Sequence, residues 1–239
     1  MRARLTPTNL TQSIVQDLGI EIVTGKYRDQ VFPKEVELSQ RYNAARTVTR
    51  EAVKMLTSKG LLSARPRQGT RVEPEDHWNL LDPEVLRWLL ERNFSLGLLI
   101  EFTQIRLSVE PGAACLAAKV ATGEQRAAIN RAIGRMFAAE RGEDDALTSD
   151  IDFHVAVLEA SGNRFYRQMR EMIETALRFS IRKTNDFKGV RLASVVDHKR
   201  VADAILAGDS AEAETRMRDL IQGALDLMVK VQADQTPQR

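Results

Sequence analysis

At 239 residues, with 43% hydrophobic, 5% aromatic and 28% charged side chains, the chain is long enough for two ordinary domains, and the balance suits helical ones. No apolar stretch approaches a bilayer span, MRARLTPTNLTQS lacks a secretory signal's apolar core, and the lone Cys115, read as a small buried hydrophobe, permits no internal disulfide; a cytoplasmic protein without membrane attachment is expected. Residues 1–72 hold 13 Lys and Arg against 6 Asp and Glu (+7) while the rest holds 22 against 27 (−5), the footprint of a polyanion-binding head on a body that does other work.

The first element is a helix over about residues 9–24, with an apolar stripe of Leu10, Ile14, Leu18 and the Ile20–Val23 region and a stop at Gly25. Residues 26–33 read as a short extended link ending at Pro33. A second helix, about 34–41, carries Val36 and Leu38 and ends near Tyr42-Asn43. After the Asn43-Ala44-Ala45 turn comes RTVTREAVKML, starting at Arg46. At about 100° per residue, centring Ala52 inward brings Val48, Met55 and Leu56 beside it. The opposite arc holds Arg46, Thr47, Arg50, Lys54 and Thr57, with Glu51 at its border. Such an arc is either simply solvated or built to meet a polyanion. Two helices joined by so short a turn have helix-turn-helix geometry. Gly60 ends the third helix, Leu61-Leu62 begin a strand and Arg71-Val72 close another. Between them Arg65, Arg67, Gln68, Gly69 and Thr70 form a basic hairpin wing.

The run from Pro33 through EVEL, RTVTREAV and Gly60-Leu61 to QGTRV resembles the winged helix-turn-helix of the GntR family of bacterial transcription regulators, over about residues 9–75. The resemblance implies a double-stranded DNA operator as partner. Arg46, Thr47 and Arg50 would open the recognition helix in the major groove, with Lys54 on the same face. The tip of Arg65, Arg67, Gln68, Gly69 and Thr70 would reach the minor groove. The chain departs from the family pattern at Val36, often an arginine, at Ala45, usually a Ser or Thr cap, and at Asp29-Gln30, usually a Pro-Gly turn. These bear on operator sequence and affinity.

Residues 76–97 are expected to be a linker with an amphipathic helix bearing Val85, Leu86, Trp88 and Leu89, started by Asp82-Pro83. It divides a winged helix-turn-helix domain over 1–75 from an all-helical domain over 98–232, a mostly α fold. His77 reads as an exposed linker residue. In the body, Asp150 and His154 stand i,i+4 in the middle of an apolar face flanked by Ile151, Val157 and Leu158. His198 repeats the arrangement among Val195, Val201, Ala202 and Ile205. Burying such groups unpaired costs several kcal/mol, on the order of 2–7 each. They therefore either hydrogen-bond one another or ligate a divalent cation. Arg106 lies between Phe102, Val109 and Ala113 with Glu110 one turn on, either as an internal ion pair or as a bidentate grip for a carboxylate. Asn163 suits the cap of the following helix or a ligand contact.

The Asp150-to-His154 spacing, Ser161-Gly162-Asn163, and the stretch from His198 through Ala204-Ile205 to Gly208-Asp209 resemble the FCD ligand-sensing domain of the FadR-like subgroup. That resemblance implies a homodimer and an aspartate with three histidines binding a metal of the zinc, nickel or manganese kind beneath a small-carboxylate pocket. Asp150, His154 and His198 map onto the first three ligands, while the fourth position holds Leu220. Arg106 and Asn163 would line the effector site. WNLLDPEVLRWLL resembles regulators of sugar-acid catabolism, so a sugar acid is the expected effector and repression the expected sign. Two other classes compete: a metal-dependent hydrolase tethered to nucleic acid, and an architectural DNA binder whose body only dimerises. No general acid–base set or phosphate-cradling glycine loop accompanies the cluster, and a regulator rather than an enzyme is expected.

Overall fold

A computed structural model of the chain describes residues 7–65, 69–92, 95–186 and 194–235. Among these are eleven helices and one two-stranded hairpin, divided between a unit spanning Met1–Phe94 and another spanning Ser95–Arg239.

In the first unit α1 (Pro7–Val23) packs its Ile14, Val15, Leu18 and Ile22 stripe against α3 (Arg46–Ser58). Residues 26–33, expected to be extended, instead turn. Tyr27 and Phe32 are both buried, with ring centroids 5.0 Å apart, and that aromatic pair draws the segment inward. The short α2 (Glu35–Arg41) begins with the Lys34 N–H donating to Glu37 Oε2 at 2.8 Å. Arg41 then reaches back to Glu21 and Asp17 on α1. The hairpin β1 (Leu62–Arg65) and β2 (Gly69–Val72) is antiparallel, pairing Leu62 with Val72 and Arg65 with Gly69.

The linker expectation changes here. Helix α4 (Pro83–Arg92) packs on α1 within the first unit. Trp88 is fully buried, and its Nε1–H donates to Gln16 Oε1 at 2.8 Å. Gly19 makes this possible: a Cβ there would lie 2.4 Å from the Trp88 ring, closer than any side chain can come. At the end of α3, Lys59 Nζ sits 2.7 Å from Asp82 and 2.8 Å from Glu84, tying α3 to the start of α4. Gly60 next to it has φ +75°, and a Cβ would lie 2.5 Å from the His77 carbonyl oxygen. His77 is exposed beside Glu73.

The second unit comprises α5 (Leu96–Val120), α6 (Gly123–Glu140), α7 (Ala146–Ala160), α8 (Arg164–Gln168), α9 (Arg170–Asp186), α10 (Val195–Ala207) and α11 (Ser210–Gln235). Thr122 and Gln125 form a reciprocal capping box on α6, and Gly208 ends α10 in the left-handed region with φ +77°. The long α11 lies along α5, and α7 packs between α5, α6 and α9, while α10 touches α5, α6 and α11. This places α5, α7 and α10 around one small volume of core. No helix among the described residues is long and apolar enough to cross a membrane.

Candidate functional site

Helix α3 divides into two faces. Thr49, Ala52, Val53 and Leu56 are buried, while Arg46, Thr47, Arg50, Lys54 and Thr57 are exposed. The outward arc is therefore the expected one. The inward arc differs: Val48 and Met55 are half-buried, and Thr49 and Val53 replace them, a rotation of about 50° at helical spacing. Thr49 can be buried because its Oγ1 donates to the Arg46 carbonyl and lies 3.1 Å from Ser39 Oγ on α2. That contact sets α3 against α2. Arg50 Nε is 3.2 Å from Glu35 Oε2, and Lys54 pairs with Glu51 at 3.7 Å. Exposed pairs of this kind are worth about 0–1 kcal/mol and yield readily to a phosphate or a base edge. Ala45 caps α3 without a side-chain hydrogen bond.

In the wing, Gly69 is exposed with φ +80° and Thr70 is half-exposed. Arg65 lies in β1 by its backbone, while its side chain, with Arg67 and Gln68, falls outside the described residues.

The second cluster is buried in the bundle. Arg106, Glu110, Asp150, His154 and His198 are each between 0% and 5% exposed, so solvent screens none of them. Asp150 Oδ1 is 3.3 Å from Nε2 of His154 and 3.3 Å from Nε2 of His198, and the two Nε2 atoms are 3.4 Å apart. Three donor atoms thus form a nearly equilateral triangle. The other nitrogen of each ring faces a group that only accepts. His154 Nδ1–H donates to Glu110 Oε2 at 2.5 Å, and His198 Nδ1–H to the Ser194 carbonyl at 3.1 Å. With both protons on Nδ1, both Nε2 lone pairs converge on Asp150 Oδ1, which has no hydrogen-bond partner. Phe153 closes one side, its ring 5.4 Å from that of His154 and 5.0 Å from that of His198.

Converging acceptors call for a cation. Burial pushes the Asp150 carboxyl up, yet the neighbouring His154 and His198 outweigh it and hold the group below the usual carboxylate range. Burial likewise opposes ionisation of Glu110, and the charges of Arg106 and His154 reverse that, bringing it down to about 2. His154 is disfavoured as a cation by burial, yet the Glu110 charge carries it above its ordinary value. Arg106 Nε binds Glu110 Oε1 at 2.6 Å, and its Nη2 lies 3.4 Å from both nitrogens of the His154 ring. Of the two readings left open for Arg106, the geometry is that of the internal ion pair with Glu110. Asn163 is half-buried, and its side-chain oxygen accepts from the Phe165 N–H at 2.9 Å as the cap of α8.

With both sites described, the matches to known families fall into place. Residues 10–72 match the model of bacterial regulatory proteins of the gntR family, and residues 101–223 match the FCD domain. The chain belongs to the gntR family of bacterial regulatory proteins. An uncharacterised HTH-type transcriptional regulator of Escherichia coli, YieP, is 33% identical over 84% of this chain and 87% of its own. The galactonate operon transcriptional repressor of the same organism is 32% identical over 86% and 91%. The solved structure of Lar, which controls the agr system of Listeria monocytogenes, is 14% identical, covers 92% of this chain and 96% of its own, and has a TM-score of 0.51, a likeness of fold alone. These relatives regulate transcription and are not enzymes, so the hydrolase reading falls.

For a GntR-family regulator with an FCD domain, the triangle fits a metal. Zinc-type ions hold nitrogen and oxygen at about 2.0–2.2 Å, which sets tetrahedral donors roughly 3.3–3.6 Å apart. The three observed edges, 3.3, 3.3 and 3.4 Å, lie in that range. All three residues offer donor atoms within 4.8 Å of one another. Leu220, where the family resemblance puts a fourth ligand, is half-buried on α11, beside an inward stripe of Ala213, Met217, Ile221, Leu225 and Met228. Sequence reading placed Glu110 on the same arc as Arg106, but not its bond to His154. Their 44-residue separation gives that contact no local signal.

Proposed function

We propose that this GntR-family regulator is a repressor acting as a homodimer, whose FCD domain senses a small hydroxy acid of the sugar-acid class through a divalent cation held by Asp150, His154 and His198. That it is a DNA-binding regulator of transcription follows from its family. The finer reading rests above all on the buried triangle, where two histidine lone pairs meet a carboxylate oxygen that nothing in the protein satisfies.

When bound, a cation supplies Lewis-acid attraction for oxygen ligands, and three protein donors leave positions for them. A carboxylate with an adjacent hydroxyl presents two oxygens to such positions. An apolar residue at 220 favours this arrangement, since it supplies no competing donor. Asp150 offsets part of the ion's charge, and His154 and His198 orient it. Since Arg106 is engaged with Glu110, we assign the grip on the acid to the cation. On the DNA side Arg46, Thr47, Arg50 and Lys54 read the major groove, while Arg65, Arg67, Gln68, Gly69 and Thr70 serve the wing. Two heads would read half-sites about one turn apart. Effector and operator affinities are then reciprocally coupled. The galactonate operon repressor among the relatives supports the sugar-acid class.

The test begins with DNA selected by the protein from a random pool, followed by gel-shift titration with galactonate and other aldonates, with and without a chelator. The expected result is one metal per chain in native mass spectrometry, release of DNA by an aldonate, and loss of that release in the chelated protein and in Asp150→Asn. Tight DNA binding that no acid alters would favour the architectural reading instead.

A further inference from the structure

The buried Glu110 is not among the three triangle donors, and its place in the core needs a reason. Its carboxylate lies on the Nδ1 side of His154, the side away from Asp150 and His198, so it is not a fourth ligand. It accepts one bond from Arg106 Nε and one from His154 Nδ1–H. We infer that Glu110 is the positioning residue of the metal centre: it holds the His154 proton on Nδ1 and so keeps the Nε2 lone pair turned towards Asp150 and His198. Arg106 holds Glu110 in place, so α5 orients a ligand on α7 without touching the ion. His198 receives the same service from a backbone carbonyl, that of Ser194. Outer partners of this kind fix the tautomer and ring angle of a ligand histidine, and their loss typically lowers metal affinity about 10- to 100-fold.

The inference rests on the metal reading above, and the experiment separates the two. Zinc affinity is measured by chelator competition for the full chain and for Glu110→Gln. In parallel, long-range proton–nitrogen spectra of both proteins, metal-free in mildly alkaline buffer, report which His154 nitrogen carries its proton. Glu110→Gln is expected to bind zinc about 10- to 100-fold more weakly, and its His154 to lose the single Nδ1–H form seen in the parent. If Glu110→Gln does not fold, the double variant Arg106→Met/Glu110→Leu removes both charges and takes the same two measurements. Zinc affinity within threefold of the parent, or an Nε2–H His154 in the parent, overturns the inference. Should the parent bind no zinc, the metal reading fails while the His154 tautomer still decides the role of Glu110: Nδ1–H upholds it and Nε2–H ends it.

Discussion

On α3, Arg46, Arg50 and Lys54 face water, whereas on α5, α7 and α10 the charged groups of Arg106, Glu110, Asp150, His154 and His198 are closed off from it. The two regions draw on similar side chains and obey different rules. Water screens the first set, so its pairs, Arg50 with Glu35 and Lys54 with Glu51, are weak and exchangeable. The second set has only itself for solvent, so every member must be matched. Oδ1 of Asp150, 3.3 Å from both histidine Nε2 atoms, has no hydrogen-bond partner among the described residues. A surface that gives up its partners suits reading DNA, and an interior that demands one suits holding an ion.

The comparison can be broken at four places. The largest effect is expected where charge plays no part. Trp88→Ala should remove about 3–5 kcal/mol from the first unit while leaving the bundle's transition in place, as followed by circular dichroism in urea. A single shared transition would show that the two units do not respond separately. Next comes acid. Glu110 is lowered from 4.5 to about 2, so its stabilisation is fully present above 4.5 and fades as pH falls towards 2. His154 is raised above 6.5, so its contribution is fully present below 6.5 and fades as pH rises through the folded value. The metal-free bundle should therefore be most stable between about 4.5 and 6.5, losing stability as Glu110 protonates below that window and as His154 loses its proton above it. The Arg106→Met/Glu110→Leu variant should flatten that profile.

Smaller effects belong to the head. Arg46→Ala or Arg50→Ala should weaken DNA binding about 10- to 100-fold by anisotropy titration, with unfolding free energy changed by less than about 0.5 kcal/mol. A large stability loss would make these residues part of the packing instead. Smallest is Thr49→Val, which keeps the shape and removes the link to Ser39, expected to cost about 1 kcal/mol of head stability in urea.

How much of this was legible beforehand differs by region for physical reasons. The outward face of α3 could be read because its cations recur at helical period and no acid interrupts them. The inward face was misaligned because Val48 and Val53 are the same residue on either side of Ala52, and nothing local marks Thr49 as buried. Its partner, Ser39, lies on another helix. Helix α4 was legible as a helix from its apolar face. That face gives no sign of its target, since Gly19 reveals its slot for an indole only once α1 and α4 are packed. The turn at 26–33 was missed because Tyr27 and Phe32 declare their pairing only in space. Asp150, His154 and His198 were legible because polar groups interrupt otherwise apolar arcs. The ring orientation was not, since Glu110 and Ser194 supply it from elsewhere in the fold.

The placement of Trp88 has an optical consequence. The chain's two tryptophans, Trp78 and Trp88, both belong to the first unit, one bonded to the Glu73 carbonyl and the other to Gln16. Intrinsic indole emission is therefore a private reporter of the head, silent about the bundle. A shift in that emission on adding an acid to DNA-free protein would be a message received from the other unit, readable without any attached dye.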